Sequence, residues 1–215
     1  MHRGDRMARA AAAIAKRPLP VTARGQRTRQ KILDAAEQVF GELGYHQAGI
    51  AEITQRADVA LGTFYLYFPD KHAVFADLVR ALNYRLRKEI QIAIADVDDR
   101  VDQEVIGFET FFRFVERHRN LYLTMAQAQA VAPELYRWHY ETLARGYARG
   151  LKHAQAKGQI ATDLDPVTTA YALMGMAEAL GMRWMLWDQR LPAGIARRSL
   201  RKLVEGALRP RKGRG

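Results

Sequence analysis

Residues 50–71 read IAEITQRADVALGTFYLYFPDK, and this stretch decides the fold. It holds two short segments with apolar residues at helical spacing, 50–57 and 61–68, which only three residues connect. A connection this short between two helices is typical of a helix–turn–helix. The second segment ends at Pro69, because proline lacks the backbone N–H that a continuing helix needs, and Asp70 is a good N-cap for the next helix.

The same helical spacing recurs on both sides of this stretch. Upstream, residues 27–43 carry an apolar stripe, and Gly44 is expected to end that helix. Downstream, helices are predicted over 71–95, 102–116, 121–130, 134–157, 166–187 and 193–208, with breaks at Asn120, Pro133, Gly158, Pro166 and Pro192. No alternating, β-branched run suggests a strand. The chain is therefore predicted to be all-α.

Composition excludes several classes of function. The chain has no cysteine, so it cannot form disulfides or thiolate zinc sites. No apolar run approaches the roughly 20 residues of a membrane helix, and the apolar stretch 10–15 is shorter than a signal peptide requires. The six histidines form no HExxH motif, and no GxGxxG or GxxxxGK loop is present. We therefore expect a cytoplasmic protein that is not an enzyme and needs neither metal nor cofactor.

The net charge of +11 lies in the two tails. Residues 1–25 hold six basic residues and one acidic residue, and residues 197–215 hold eight and one, whereas the region between them is close to neutral. We interpret residues 1–25 as a disordered basic arm and 209–215 as a basic tail. Such tails either keep the chain soluble or add sequence-independent attraction to a polyanion such as DNA.

The ordered motifs of residues 28–75 resemble the DNA-binding domain of the TetR/AcrR family of transcriptional repressors. The resemblance is carried by ILDAAEQVFGELGY at 32–45, with its F-x-x-x-G-Y ending, and by I-x-x-x-A-x-V-x-x-G-T-F-Y-x-Y-F at 53–68, followed by Lys71. It implies a helix–turn–helix DNA-binding domain at 26–75 and a ligand-binding and dimerisation domain at 76–208. The expected function is that of a ligand-responsive repressor of transcription.

The family resemblance also implies roles for residues of the predicted helix 61–68 and for Lys71, which follows it. Gly62 would let the backbone approach DNA, Thr63 would donate to a phosphate or base, and Lys71 would pair with a phosphate. Tyr65 and Tyr67 would donate to phosphates or touch thymine methyls, although they could instead be half-buried packing residues. Because they are two residues apart on a helix they point in different directions, so at most one faces the bases. Phe64 and Phe68 are expected in the core.

Several residues depart from the usual family pattern. Ala48 and Gly49 stand where hydroxyl residues are common, so helix 50–57 lacks a side-chain N-cap and a phosphate donor, although Gly49 could cap through its backbone. Asp58 replaces a turn glycine and tolerates the left-handed conformation better than most residues. Ala60 and Leu61 replace polar residues. Specificity would then depend on thymine methyls, on DNA shape and on basic residues of the N-terminal arm, namely Arg24, Arg27 and Arg29.

Aromatic stripes in the second domain predict an effector cavity. Helix 134–157 carries three tyrosines on one face, and a buried tyrosine hydroxyl needs a hydrogen-bond partner. Ordinary core packing is the alternative for any one of these residues. The candidate ligand-binding residues are Phe108, Phe111, Phe112, Arg113, Tyr136, Tyr140, Tyr147, Met174, Ala177 and Trp184.

A looser resemblance suggests the effector. Residues 133–160 and 172–187 are similar to fatty-acid-metabolism repressors of the FadR type and to phenylacetyl-CoA-responsive relatives, which implies an acyl-CoA thioester. Its apolar chain would lie among Phe111, Phe112, Tyr140 and Met174, and its phosphates would meet basic groups such as Arg113, Arg117, Arg145, Arg149, Lys152 or Arg183. The alternative is a multidrug-type regulator of efflux that senses aromatic or cationic compounds. A buried acid facing the cavity, such as Glu109, Glu141 or Glu178, would favour that alternative.

The family resemblance further implies a homodimer. Its last two helices would pair with those of a second subunit, with Leu200, Leu203, Val204 and Leu208 as the apolar face. The two heads would then fit successive major grooves about 34–36 Å apart, and effector binding would tilt helix 71–95. A helical interaction protein or enzyme that only shares the three-helix pattern is the remaining alternative.

Overall fold

The computed structural model describes residues 22–190 and 194–209, and within them the protein is all-α, as predicted. No strand occurs in the described part of the chain. Its helices are α1 (Ala23–Gln47), α2 (Ile50–Ala57), α3 (Leu61–Tyr67), α4 (Lys71–Ile94), α5 (Arg100–Arg117), α6 (Arg119–Val131), α7 (Pro133–Ala156), α8 (Pro166–Gly181), a π-helical turn (Met182–Trp187) and α9 (Gly194–Leu208). None of these helices is both long enough and apolar enough to cross a membrane.

Helix α1 begins four residues earlier than predicted. The Thr22 hydroxyl accepts a hydrogen bond from the Gly25 N–H at 3.1 Å, so Thr22 is the N-cap and residues 23–25 are helical rather than part of an arm. Gly44, at φ 77° and ψ 159°, leaves the helical conformation where the sequence predicted the helix to end. Residues 1–21 of the predicted arm 1–25, the break at Pro192 and residues 210–215 of the predicted tail 209–215 lie outside the described residues.

Two compact units make up the chain, one ending at Leu78 and the other beginning at Val79. We call them the head and the receptor unit. The predicted division at 75/76 lies three residues before this boundary. In the head, α1 packs on α2, α2 packs on α3, and the core contains Phe40, Phe64, Phe68 and Phe75. The core positions predicted for Phe64 and Phe68 are therefore confirmed.

The receptor unit has its core where α5, α7, α8 and α9 meet. Phe112 is fully buried there, and the Trp184 ring meets it edge-on with 5.1 Å between centroids. Leu200, Val204 and Leu208 belong to the same core, which corrects their prediction as a surface for a second subunit. Only Leu203 of that predicted face is exposed, at 61%.

The predicted helix 166–187 changes its hydrogen-bonding pattern at Gly181 and continues as the π-helical turn. A Cβ at Gly181 would lie 2.8 Å from Phe111 Cε1, so the glycine allows close packing against α5. The π-helical turn leaves Met185 buried and Trp187 exposed. The predicted break at Asn120 is wrong by two residues: α5 and α6 are interrupted at His118, and Asn120 lies within α6.

Candidate functional site

The turn between α2 and α3 is built around Asp58. Asp58 has φ 53° and ψ 53°, and its N–H donates to Gln55 O at 3.2 Å, while Val59 N–H donates to Thr54 O at 3.1 Å. This is the left-handed conformation that favours glycine and that aspartate tolerates. The role predicted for Asp58 is confirmed.

Both short helices begin without a side-chain cap. Gly49 is the N-cap of α2 and Ala60 that of α3, and neither N-terminus has a capping side-chain hydrogen bond. The Glu52 carboxylate occupies the space where a Cβ at position 49 would lie. An acid in the first turn of a helix is favourable, so Glu52 partly replaces the missing cap.

Helix α3 exposes apolar side chains. Leu61 is 53% and Leu66 70% exposed, and Tyr65 is exposed beside them. A Cβ at Gly62 would meet nothing within 4 Å, so the backbone there is open to a partner. Thr63 and Tyr67 are half-buried, so the two tyrosines differ in exposure, as their spacing predicted.

The Lys71 ammonium has partners within the head. It donates to the Tyr45 carbonyl at 2.7 Å and the Ala48 carbonyl at 2.8 Å, and it lies 4.5 Å from the centroid of the Tyr45 ring. Lys71 therefore stabilises the end of α1. A phosphate contact would have to share this ammonium.

The predicted arginines divide into two groups. Arg29 forms an ion pair with Asp77 and lies over the Phe68 ring, whereas Arg24 and Arg27 are exposed on the first turns of α1. Arg24 and Arg27 therefore keep a surface position from which they could contact a partner.

The receptor unit contains a cavity of about 390 Å³ whose walls come from α4, α5, α6, α7 and α8. Leu82, Leu86, Ile90, Phe108, Phe111, Met125, Leu143, Leu173 and Met174 supply most of its apolar lining. Six predicted ligand-binding residues line it, namely Phe108, Phe111, Tyr140, Tyr147, Met174 and Ala177.

Four predicted residues do not line the cavity. Phe112 and Trp184 face the core, Arg113 is exposed, and the Tyr136 ring packs 4.6 Å from that of Tyr140 without joining the lining. The basic residues suggested for CoA phosphates also lie outside the lining, namely Arg117, Arg145, Arg149, Lys152 and Arg183. Arg87 and Arg100 are the arginines of the cavity wall.

A charged cluster lies where α5 and α7 face the cavity. Arg100 pairs with Glu104, the Tyr147 hydroxyl donates to Glu104 Oε2, and the Arg100 guanidinium lies 5.5 Å from the centroid of the Tyr147 ring. Burial is the main influence on the Glu104 carboxyl and raises its pKa, although the Arg100 charge opposes this. Burial and the Glu104 charge raise the pKa of Tyr147 well above its usual value.

A second polar region involves α6, α7 and α8. Burial raises the pKa of Glu178 to about 6, and burial followed by the Glu178 charge raises the pKa of Tyr122 to about 12. Burial and the Arg87 charge lower the pKa of His139 to about 4. The imidazole is therefore neutral near pH 7, and Asn83 Nδ2 donates to the His139 carbonyl at 3.1 Å.

Sequence reasoning missed Arg87, Arg100 and Glu104. Glu104 lies one helical turn before Phe108 on the same stripe, so a polar residue continuing an apolar stripe was the available signal. Of the acids named for the multidrug alternative, only Glu178 lines the cavity; Glu109 pairs with Arg197, and Glu141 with Arg145. In the described residues, no cluster of three or more His, Cys, Asp or Glu side chains could hold a metal ion.

Comparisons with known proteins agree with this architecture. Residues 32–78 match the model of bacterial regulatory proteins of the tetR family. The uncharacterized HTH-type transcriptional regulator YdgC of Bacillus subtilis is 30% identical over 192 residues, which are 86% of this chain and 95% of that protein. The structure of Salmonella enterica GusR has a TM-score of 0.77 at 24% identity and covers 87% of this chain and 98% of that one. The structure of Bacillus subtilis FadR in complex with stearoyl-CoA has a TM-score of 0.71 at 21% identity and covers 81% of this chain and 96% of that one.

The fold, the helix–turn–helix and these relatives define a DNA-binding transcriptional regulator, not an enzyme. The two solved structures support the fold, and the relative with 30% identity along most of the chain supports the family. The chain belongs to the TetR family of bacterial regulatory proteins.

Proposed function

We propose that the chain is a homodimeric repressor that a hydrophobic effector, of the acyl-CoA thioester class, releases from its operator. The observation that carries this proposal is the cavity of about 390 Å³, whose wall is mainly apolar. Its size lies within the range of roughly 300–1,000 Å³ usual for small-molecule sites.

The shape of the cavity supports a chain-like ligand. Its α7 wall runs from His139 to Gly150, a rise of about 16 Å at 1.5 Å per residue. Arg87 adds a positive charge to the α4 wall of the cavity. FadR of Bacillus subtilis, which shares the fold, was solved in complex with stearoyl-CoA. An acyl chain would lie between Phe108, Phe111 and Met174, and Arg87 would attract an anionic group.

On the DNA side, we assign base contacts to α3. Leu61, Gly62 and Tyr65 form its open surface, and we assign phosphate contacts to Thr63 and Tyr67, which are half-buried. Because Leu61 has no hydrogen-bonding group, it would read thymine through the C5-methyl in the major groove. Further DNA contacts would come from the Gly49 and Ala60 backbones, from Lys71, and from Arg24 and Arg27.

The dimer would form through exposed apolar residues of α8, the π-helical turn and α9, namely Val167, Tyr171, Met182, Trp187 and Leu203. Sedimentation tests this assignment. Tyr171→Glu should convert a dimer into a monomer, because a buried unpaired charge is costly. Tyr84→Glu, at an exposed tyrosine of α4, is the matched control and should leave the dimer intact.

Coupling between effector and DNA would run through α4. This helix carries Lys71 in the head and supplies Leu82, Leu86 and Ile90 to the cavity. An effector that binds better when α4 is displaced shifts the population away from the DNA-binding state, with a coupling free energy of about 1–3 kcal/mol.

Glu178 favours a second candidate effector. This carboxyl lines the cavity near Tyr122, and burial raises its pKa to about 6. A buried acid beside aromatic rings suits an aromatic or cationic compound, as in a multidrug-type regulator of efflux.

The test is capture of an operator from the source genome with the full chain, followed by release with acyl-CoAs, free acids and aromatic cations. Release by acyl-CoAs supports the proposal, release by cations alone supports the second candidate, and failure to bind DNA at low salt contradicts both. Gly107→Leu should block release by filling the cavity, because a Cβ at 107 meets only Ile90 Cγ2, at 3.8 Å. Gly107→Ala is the matched control and should retain release.

A further inference from the structure

We infer that Arg100, Glu104 and Tyr147 form an anchoring subsite, at one end of the cavity, for a neutral hydrogen-bonding group of the effector such as an amide or a hydroxyl. The inference rests on the proposal that the cavity holds the effector, and it specifies the chemistry at one position along that effector. A carboxylate, a phosphate or an ammonium group would be disfavoured there.

The subsite combines deep burial with unused hydrogen-bonding capacity. Arg100 is 8% and Glu104 3% exposed, and both line the cavity. Arg100 Nη2 pairs with Glu104, and Nη1 donates to Gln103 Oε1 at 3.1 Å. The Arg100 Nε–H has no hydrogen-bond partner. A buried donor without a partner costs about 1–3 kcal/mol, so a ligand acceptor at this position would gain affinity by satisfying it.

The Glu104 carboxylate supplies the complementary acceptor. Tyr147 donates to its Oε2 and the Arg100 guanidinium pairs with its Oε1, which leaves each oxygen a further lone pair for a donor of the ligand. An amide could accept from Arg100 Nε through its carbonyl and donate its N–H to Glu104. A hydroxyl can also accept and donate at the same time.

Charge selects a neutral group at this position. Arg100 and Glu104 already balance each other, so an anion would lie beside a buried carboxylate and a cation beside a buried guanidinium. Either would add an uncompensated charge in a region of low dielectric, which costs far more than burying a hydrogen-bonded neutral group.

The local packing is built for this placement of Arg100. A Cβ at Gly150 would lie 2.9 Å from Arg100 Nη1, so a side chain at this position would shift the guanidinium from its place against α7. The Tyr147 ring supports the guanidinium from one side. Glycine within a helix costs about 0.5–1 kcal/mol relative to alanine, a cost that here permits the buried cation.

The distance between Tyr140 and Tyr147 sets the length of the apolar part of the effector. Tyr140 and Tyr147 both line the cavity and are separated along α7 by a rise of about 10 Å. Between them α7 contributes only Leu143 and Gly146 to the lining, and neither has a polar side chain. The effector would thus carry its neutral polar group next to an apolar portion about as long as this interval.

The test compares four ligands that share one octyl chain, namely octanamide, 1-octanol, octanoate and octyltrimethylammonium. Their binding to the full-length protein is measured by calorimetry at pH 7.5. We expect octanamide and octanol to bind at least about tenfold more tightly than the two charged ligands, the equivalent of about 1.4 kcal/mol. Tighter binding of octanoate or of the cation that persists in the double variant Arg87→Met, Glu178→Gln would overturn the subsite, because this variant lacks the two charged groups of the cavity wall that could otherwise hold these ligands. If tighter binding of a charged ligand is lost in the double variant, the order of the four affinities in that variant decides.

A variant pair tests the role of the guanidinium. Arg100→Lys keeps the charge but removes Nε–H, so the preference for octanamide over octanoate should collapse, whereas Arg137→Lys, at an exposed arginine of α7, should retain it. An unchanged preference in Arg100→Lys overturns the inference. If Arg100→Lys does not fold, Gly150→Ala replaces it, because the added methyl must displace the guanidinium.

Failure of the subsite can be told apart from failure of the proposed function. If none of the octyl ligands binds but acyl-CoAs still release the operator, the anchoring subsite is wrong and the repressor proposal stands. If an octyl ligand binds with the expected preference but no acyl-CoA releases DNA, the subsite stands and the effector class is wrong.

Discussion

The surface of α3 and the cavity of the receptor unit depart from ordinary burial in opposite directions. Helix α3 leaves Leu61 and Leu66 in solvent, whereas the cavity wall takes Arg100 and Glu104 out of it. A patch of exposed apolar side chains, here the two leucines with Tyr65, and buried polar groups are the informative exceptions to ordinary burial. Each exception is costly for the isolated chain, so each indicates a partner that offsets the cost. For α3 we expect the apolar groove edges of DNA, and for the cavity we expect a polar group of an effector.

This contrast predicts that substitutions in the cavity change stability, whereas those on α3 change only affinity. The chain offers a convenient probe, because its three tryptophans, Trp138, Trp184 and Trp187, all lie in the receptor unit. Tryptophan fluorescence therefore reports unfolding of that unit, and the head can be followed separately by hydrogen exchange.

The largest effect is expected from Glu104→Ala. It leaves the Arg100 charge buried and unpaired, so the free energy of unfolding of the receptor unit should fall by about 3–5 kcal/mol. Urea unfolding followed by tryptophan fluorescence measures it. The double variant Arg100→Met, Glu104→Leu should lose much less of this free energy of unfolding, because it removes both charges. An equal loss in the single and the double variant would mean that packing, and not charge, determines the stability at this position.

The next largest effect is expected at Lys71, which lies in the head at the start of α4, just after α3. Unlike Leu61, its side chain has hydrogen-bond partners within the head. Lys71→Met removes charged hydrogen bonds to the Tyr45 and Ala48 carbonyls, so the head should lose about 1.5–3 kcal/mol. Hydrogen exchange of amides in α1 and α2 measures this loss. Lys31→Met, at an exposed lysine of α1, is the control. If Lys71→Met weakens DNA binding without changing exchange, the lysine serves DNA alone.

A smaller effect on affinity is expected from Leu61→Ser. It removes an apolar contact with a thymine methyl, so operator affinity should fall about tenfold, or about 1.4 kcal/mol, while exchange in the head stays unchanged. Leu43→Ser, at an exposed leucine of α1, should retain affinity. Uracil lacks the C5-methyl group of thymine, so replacing the contacted thymines by uracil should weaken operator binding by the wild-type protein. The same replacement should weaken binding by Leu61→Ser very little further. Equal sensitivity of both proteins to uracil would exclude Leu61 as the thymine reader.

The smallest effect is the pH dependence due to Glu178. Its pKa is about 6 in the folded chain, above the usual value of 4.5, so the folded state binds more protons between these two values. Stability contributed by this group is fully present below pH 4.5 and is lost as pH rises through 6. Because the group is partly accessible to solvent, the change should stay below about 1 kcal/mol.

The comparison with Glu178→Gln isolates this dependence. His139 titrates in an overlapping range with the opposite sign, since its pKa is lowered to about 4 and folding therefore disfavours its protonation. Subtracting the free energy of unfolding of Glu178→Gln from that of wild type cancels the His139 contribution, because both proteins contain His139. This difference in the free energy of unfolding should grow in favour of wild type as pH falls from 7 to about 5. A difference that does not change with pH would mean that Glu178 titrates normally.

The two regions also differ in how far the sequence predicted them. Asp58 and Phe64 were placed correctly from local chemistry, because a tight turn and a short helix allow few arrangements. In the cavity, Phe108 and Phe112 lie on one predicted stripe, yet only Phe108 lines it. A stripe shows that a face is buried but not what it is buried against. That choice depends on helices distant in the chain.

The sequence by itself determined the all-α class, the helix–turn–helix and the family, because helical periodicity, turn residues and a contiguous motif are local properties. Tertiary structure decided that Lys71 binds the end of α1, that Leu203 and not Leu200 is exposed, and that Arg100 and Glu104 meet Tyr147 in a cavity wall. Each of these outcomes depends on how side chains from separate helices pack against one another, and such packing is fixed only once the whole unit has folded.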